Sequence, residues 1–142
     1  MFTKLEHVAL SVKDIERSIE FYRDVIGFEV KMRLEPDPKL PQEKVVALKG
    51  AAPRIAHLYL GGFMLELFQY LNPVGRPIPE DFTQADNGFT HISLTSTDTR
   101  ADYKYLVEKG VEFLSEPTEF RPGVWICFFK GPDGEIVEVR QT

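Results

Sequence analysis

Apolar and polar residues alternate from Leu5: in "LEHVALSV", Leu5, His7, Ala9 and Ser11 share one face and Val8, Leu10 and Val12 the other. A period of two predicts a strand. The period then lengthens. Asp14 offers a helix N-cap, Ile15, Ile19, Tyr22 and Ile26 recur at helical spacing, and Gly27 supplies a stop, predicting a helix over 14–26. A strand is expected over 29–34, followed by a loop at "EPDPKLPQEK", where three prolines interrupt any regular pattern. Further strands are expected at "KVVALKG" (44–50), "RIAHLYLG" (54–61) and "FMLELFQYL" (63–71), with Gly61 and Gly62 turning the chain between the last two.

A Pro-rich, polar connector, "NPVGRPIPEDFTQADNG" (72–88), separates this half from a second that repeats its order. His91 opens a strand in "THISLTSTD", Thr97 or Asp98 caps a helix over 98–109, and Gly110 ends it. Strands follow at "EFLSEP" (112–117), "VWICFFKG" (124–131) and "EIVEVRQ" (135–141), with "GPDG" as the turn before the last. The halves share residues as well as order. His7, Leu10 and Asp14 have the spacing of His91, Leu94 and Asp98, and "LELFQ" and "VEVRQ" place Glu66 and Glu138 three residues before Gln69 and Gln141. The expected fold is α+β: two βαβββ modules, about 1–72 and 88–142, within one domain over 1–142, forming a curved, half-barrel-like mixed sheet with the helices outside.

Composition narrows the function. With 142 residues, 43% hydrophobic, the chain can bury a core without staples. One cysteine allows no internal disulfide, and the opening "MFTKLEHVAL" lacks the pattern of a secretion signal, so a reducing cytoplasm is the expected location. No apolar run approaches the roughly 20 residues that span a bilayer. A net charge of −5 disfavours nucleic acid as a partner. A small-molecule substrate is expected, and an unpaired sheet edge leads us to expect a homodimer.

The polar residues on the strands have ordinary roles when taken singly. A strand histidine is usually a hydrogen-bonded edge or core residue, the reading given to His57, and a glutamate between leucines usually faces solvent. Compared by face, four of them stand apart. His7 shares its face with Ala9 and Ser11, and His91 with Ser93 and Thr95, while the opposite faces are Val, Leu and Ile suited to helix packing. Glu66 and Glu138 likewise lie opposite the Leu and Val of their strands. Curved sheets with helices on the convex side would turn His7, Glu66, His91 and Glu138 into one concavity. Imidazole nitrogens with carboxylate oxygens suit one divalent ion of Zn, Ni, Co, Mn or Fe, with positions left open for chemistry. Ser11, Phe68, Ser93 and Trp125 are candidate substrate contacts. Cys127 reads as a small core residue, and Arg76 and Arg121 as surface charges.

"HVALSVKDIERSIEFYRDVIGF", "LEL", "FTHISLTSTD" and "GPDGEIVEV" together resemble the vicinal oxygen chelate superfamily, the glyoxalase, bleomycin-resistance and dioxygenase fold, over essentially the whole chain. The pattern is nearest to the glyoxalase I and methylmalonyl-CoA epimerase branches. That resemblance implies a metal-dependent isomerase or lyase, in which the ion polarises a substrate carbonyl and Glu138 or Glu66 abstracts the neighbouring proton. Ser11 and Tyr70 stand where glutathione-using glyoxalases carry arginine and asparagine, which argues against glutathione. The epimerases place an additional glutamate after the Pro-rich region, where "KVVALKG" has none. The alternatives are an iron-dependent dioxygenase, which normally needs two histidines and one glutamate, and a non-catalytic drug-binding protein.

Overall fold

The computed structural model covers residues 1–142, and the duplicated pattern appears in it as two units, Met1–Pro77 and Ile78–Thr142. In the first, β1 (His7–Ser11) leads into α1 (Ile15–Glu20), which continues as a π-helical segment over Phe21–Ile26 before β2 (Glu29–Leu34). A short α2 (Gln42–Val46), β3 (Pro53–Leu60) and β4 (Phe63–Tyr70) complete the unit. The second contains β5 (His91–Thr95), α3 (Thr99–Glu108), β6 (Thr118–Arg121), β7 (Val124–Lys130) and β8 (Ile136–Gln141). Each unit holds a four-stranded mixed sheet of the same topology, β1-β4-β3-β2 and β5-β8-β7-β6. The first strand runs parallel to the last, and the remaining pairs are antiparallel.

Local chemistry explains the element ends. Asp14 and Asp98 cap α1 and α3, each carboxylate accepting from the two backbone N–H groups at the start of its helix. The repeated glutamines complete these caps. Gln69 accepts from Ile15 N and donates to the Lys13 carbonyl, and Gln141 accepts from Thr99 N. Three residues after the glutamate, each glutamine points to the opposite face of its strand, toward the helix. Gly61 and Gly62, with φ of 57° and 81°, form the two-residue turn between β3 and β4 that needs positive φ at both positions.

One face of each sheet is sealed by its helix. Ile15, Ile19 and Tyr22 cover Ala56, Leu58, Leu65 and Leu67, all nearly inaccessible. In the second unit α3 packs on β7 and β8, and Leu106, Cys127, Phe129, Val137 and Val139 are buried. At about 1.5–3 kcal/mol per fully buried large aliphatic or aromatic side chain, these layers dominate the stability. The opposite faces carry His7, Glu66, His91 and Glu138.

Two expected strands are corrected. Residues 44–50 do not form one: α2 begins after Pro41, whose carbonyl accepts from Lys44 N and Val45 N, and Val45 is exposed. A short apolar run fits helix or strand equally by pattern, and the proline before it favours a helical start. At 112–117 only Phe113 makes a bridge, to Phe129. Strand β6 lies further on, at Thr118–Arg121, where Gly123 at φ 81° permits the turn into β7.

Candidate functional site

In the first unit β1 and β4 are register neighbours, with His7 beside Met64 and Ala9 beside Glu66. The removal of side chain bulk at Ala9 leaves room for the two longer groups to meet across it. His7 Nε2 stands 3.2 Å from Glu66 Oε2. The other ring nitrogen, Nδ1, is 2.6 Å from Glu6 Oε2. An ionised carboxylate only accepts, so Nδ1–H donates to Glu6 and the Nε2 lone pair faces Glu66. That hydrogen bond holds the Glu6 carboxyl below its ordinary pKa. His7 Nε2 and Glu66 Oε2 thus face each other across 3.2 Å, a separation that a metal ion held by both could bridge.

The second unit repeats the arrangement. His91 Nε2 lies 3.8 Å from Glu138 Oε2, Ser93 is the register neighbour of Glu138, and Thr90 Oγ1 lies 3.1 Å from His91 Nδ1. In both units the residue just before the histidine occupies Nδ1 and leaves Nε2 toward the glutamate. Such a partner on the far nitrogen fixes tautomer and ring orientation in metal-binding histidines. Two ligands of one tetrahedral ion at about 2.0–2.2 Å stand roughly 3.3–3.6 Å apart. The first pair has nearly that separation, and the second is wider by a few tenths of an ångström. Donor chemistry and spacing within each pair therefore fit a borderline divalent cation. No group of three or more His, Cys, Asp or Glu side chains in the chain is arranged to hold one.

His57 is a neighbour of Glu66 that a residue-by-residue reading misses. It pairs directly with Glu66 between β3 and β4, and its Nε2 is 2.8 Å from Glu66 Oε1. The signal was present in the turn. A two-residue Gly61-Gly62 loop pairs residues placed symmetrically about it, and 57 and 66 are such a pair. In the second unit the corresponding position, opposite Glu138, is Phe128, whose ring also meets His91 edge-on at 5.4 Å.

Among the expected substrate contacts, Ser11 and Phe68 are register neighbours on the Glu66 face, and Phe68 stacks on Tyr70. Burial, and then the nearby Glu66 charge, raise the Tyr70 pKa. Ser93 lies on the Glu138 face. Trp125 does not: it pairs with Gln141 on the helix side, with the Arg100 guanidinium 4.5 Å above its ring. Strand alternation accounts for this, since Trp125 and Phe128 are separated by an odd number of positions. A cavity of about 390 Å³ opens in the second unit. Ile136, the register neighbour of His91, lines it with Leu114, Lys130 and the connector residues Ile78, Pro79 and Phe82. Its size lies within the usual range for small-molecule sites.

Residues 4–139 match the family model of the Glyoxalase/Bleomycin resistance protein/Dioxygenase superfamily. The chain belongs to this superfamily. It is 32% identical to a 2-epi-5-epi-valiolone epimerase from Actinomyces sp, with 95% of the chain and 77% of that protein covered. It is 30% identical to the mitochondrial methylmalonyl-CoA epimerase of Homo sapiens, over 98% of the chain and 74% of that protein. A crystal structure of a glyoxalase family protein from Bacillus cereus superposes with a TM-score of 0.87 at 18% identity, covering 99% and 94% of the two chains. At that identity the likeness concerns the fold. The superfamily is one of small-substrate enzymes among others, and no helix of this chain is long and apolar enough to cross a membrane.

Proposed function

We propose that this protein is a divalent-metal-dependent isomerase that moves a proton at a carbon next to a carbonyl, with His7, Glu66, His91 and Glu138 as the ligands. The observation that carries the reading is the repeated pair: in each module a histidine Nε2 faces a glutamate oxygen on the sheet face left open by the helix. A bound divalent ion would supply Lewis acidity, making the C–H beside a substrate carbonyl easier to deprotonate. The protein supplies the rest. Glu6 and Thr90 orient the histidine rings, and the cavity beside Ile136 receives the body of a small substrate. Glu138 has a side chain only 10% exposed, with the apolar ring of Phe128 in register opposite. It takes the proton from one face of that carbon and releases it to solvent, and inversion is complete when a solvent proton reaches the opposite face. Epimerase relatives at 30% identity or more favour proton return to the same carbon over a lyase reaction. We include a homodimer in the proposal, because β1, β2, β5 and β6 are edge strands of their sheets.

The test begins with the metal content of purified protein, expected to be stoichiometric. NMR in deuterated buffer should then show α-proton exchange in one of a panel of 2-oxo, 2-hydroxy or acyl-CoA acids. Glu138→Asp keeps the charge but withdraws the carboxylate by a methylene, so turnover should fall far more than metal occupancy. Turnover that stops under argon, with no deuterium incorporated in air, would overturn the isomerase reading in favour of oxygen chemistry.

A further inference from the structure

The two modules place the same histidine–glutamate pair on the same sheet positions, so any difference in their surroundings is informative. Opposite Glu66 on the antiparallel neighbour stands His57, and opposite Glu138 stands Phe128. His57 Nε2–H donates to Glu66 Oε1 at 2.8 Å, while the other oxygen, Oε2, faces His7 Nε2 at 3.2 Å. Each Glu66 oxygen thus has its own nitrogen. Phe128 offers Glu138 no donor, and the distance from Glu138 to His91 is the longer one.

We infer that His57 is a positioning residue, one that holds Glu66 as a single-oxygen, non-dissociating ligand. This rests on the metal-centre reading above and goes beyond it by giving His57 a role at that centre. A carboxylate with both oxygens engaged cannot rotate toward substrate without breaking a hydrogen bond in a half-buried site, where the break is costly. A carboxylate against an aromatic ring meets no such barrier. His57 does not act as a third ligand, because its Nε2 proton points at Oε1 and its nitrogen therefore has no lone pair for an ion there. Side chains just outside a coordination sphere typically alter metal affinity by about 10–100-fold when lost.

The experiment uses cobalt(II) alone as probe, read by calorimetric titration and by its visible ligand-field bands. His57→Phe reproduces the Phe128 environment in the first module. It should weaken cobalt binding by about 10–100-fold and shift the bands, while far-UV circular dichroism stays as in the wild type. His57→Gln, which retains an N–H donor, should recover affinity and bands. Should the phenylalanine variant fail to fold, His57→Ala, which introduces no bulk, carries the same expectation. Wild-type affinity and bands in the apolar variant would overturn the inference, as would a glutamine variant no better than phenylalanine. Those outcomes leave the metal centre standing. A wild-type protein that takes up no cobalt overturns both readings.

Discussion

Replacing His91 by alanine separates a ligand from a structural histidine, and the structure sets the size of the effect. The side chain is 32% exposed, meets Phe128 edge-on and touches Thr90 Oγ1. An aromatic edge contact contributes about 0.5–1.5 kcal/mol, and a partly exposed hydrogen bond about 0.5–1 kcal/mol. The metal-free variant should therefore lose about 1–2 kcal/mol. With about 2.1 cal/mol/K of unfolding entropy per residue, a chain of 142 residues has roughly 0.3 kcal/mol/K, so the loss lowers Tm by about 3–7 °C. Metal at a hundredfold excess over its Kd adds about 2.7 kcal/mol to a protein that binds it only when folded, or roughly 9 °C. Thermal melts followed by circular dichroism, with zinc and with chelator, should show that rise in the wild type. In His91→Ala the modest metal-free decrease should remain and the zinc-dependent rise should vanish. A variant unfolded at room temperature, or one with an undiminished response to zinc, would return His91 to a structural role and refute the ligand assignment.

Two further outcomes concern the opposite faces of the sheets. Gln69→Ala removes two hydrogen bonds at the start of α1 and Gln141→Ala one at the start of α3. Urea unfolding should show losses of about 1–2 and about 0.5–1 kcal/mol respectively, with metal stoichiometry unchanged. Cys127 is fully buried, and burial pushes its thiol up to about 11 from 9.0, the nearby Asp102 charge adding to the rise. The folded state thus favours the protonated thiol: its contribution to stability is complete below pH 9 and is lost as pH rises toward 11. A disulfide reagent at pH 8 should label the native protein only as fast as it opens, and rapid stoichiometric labelling would contradict the packing.

Where neighbours in sequence decide the outcome, the residues were sufficient. The alternation around His7 and His91, the aspartate caps and the glycine stops all rest on local backbone chemistry, and each strand–helix unit lies where it was expected. The failures occurred where local patterns are ambiguous or where a long-range contact decides. "KVVALKG" is apolar enough for a strand, but its first residues are helical after Pro41, and Val45 remains exposed. "EFLSEP" is displaced from the ladder after Phe113, whose ring packs between Tyr103 and Phe129. The π-helical turn at Phe21–Ile26 leaves no mark in residue spacing. At the site, the parity of the strands identifies the histidines and glutamates. The strands' pairing register is needed to bring His57 to Glu66 and to send Trp125 beneath Arg100.

Parallel pairing of β1 with β4, and of β5 with β8, has a consequence for the order of events on the ribosome. The histidine of each pair lies on the first strand of its module and the glutamate on the last, so neither pair can assemble until the last strand has emerged and docked. Closing such a loop is the slow, entropically costly step of forming a module. The hairpin of β3 and β4 can form early on its own, bringing His57 to Glu66 before His7 arrives. A nascent chain would therefore hold a finished first pair while the strands of its second are still being synthesised.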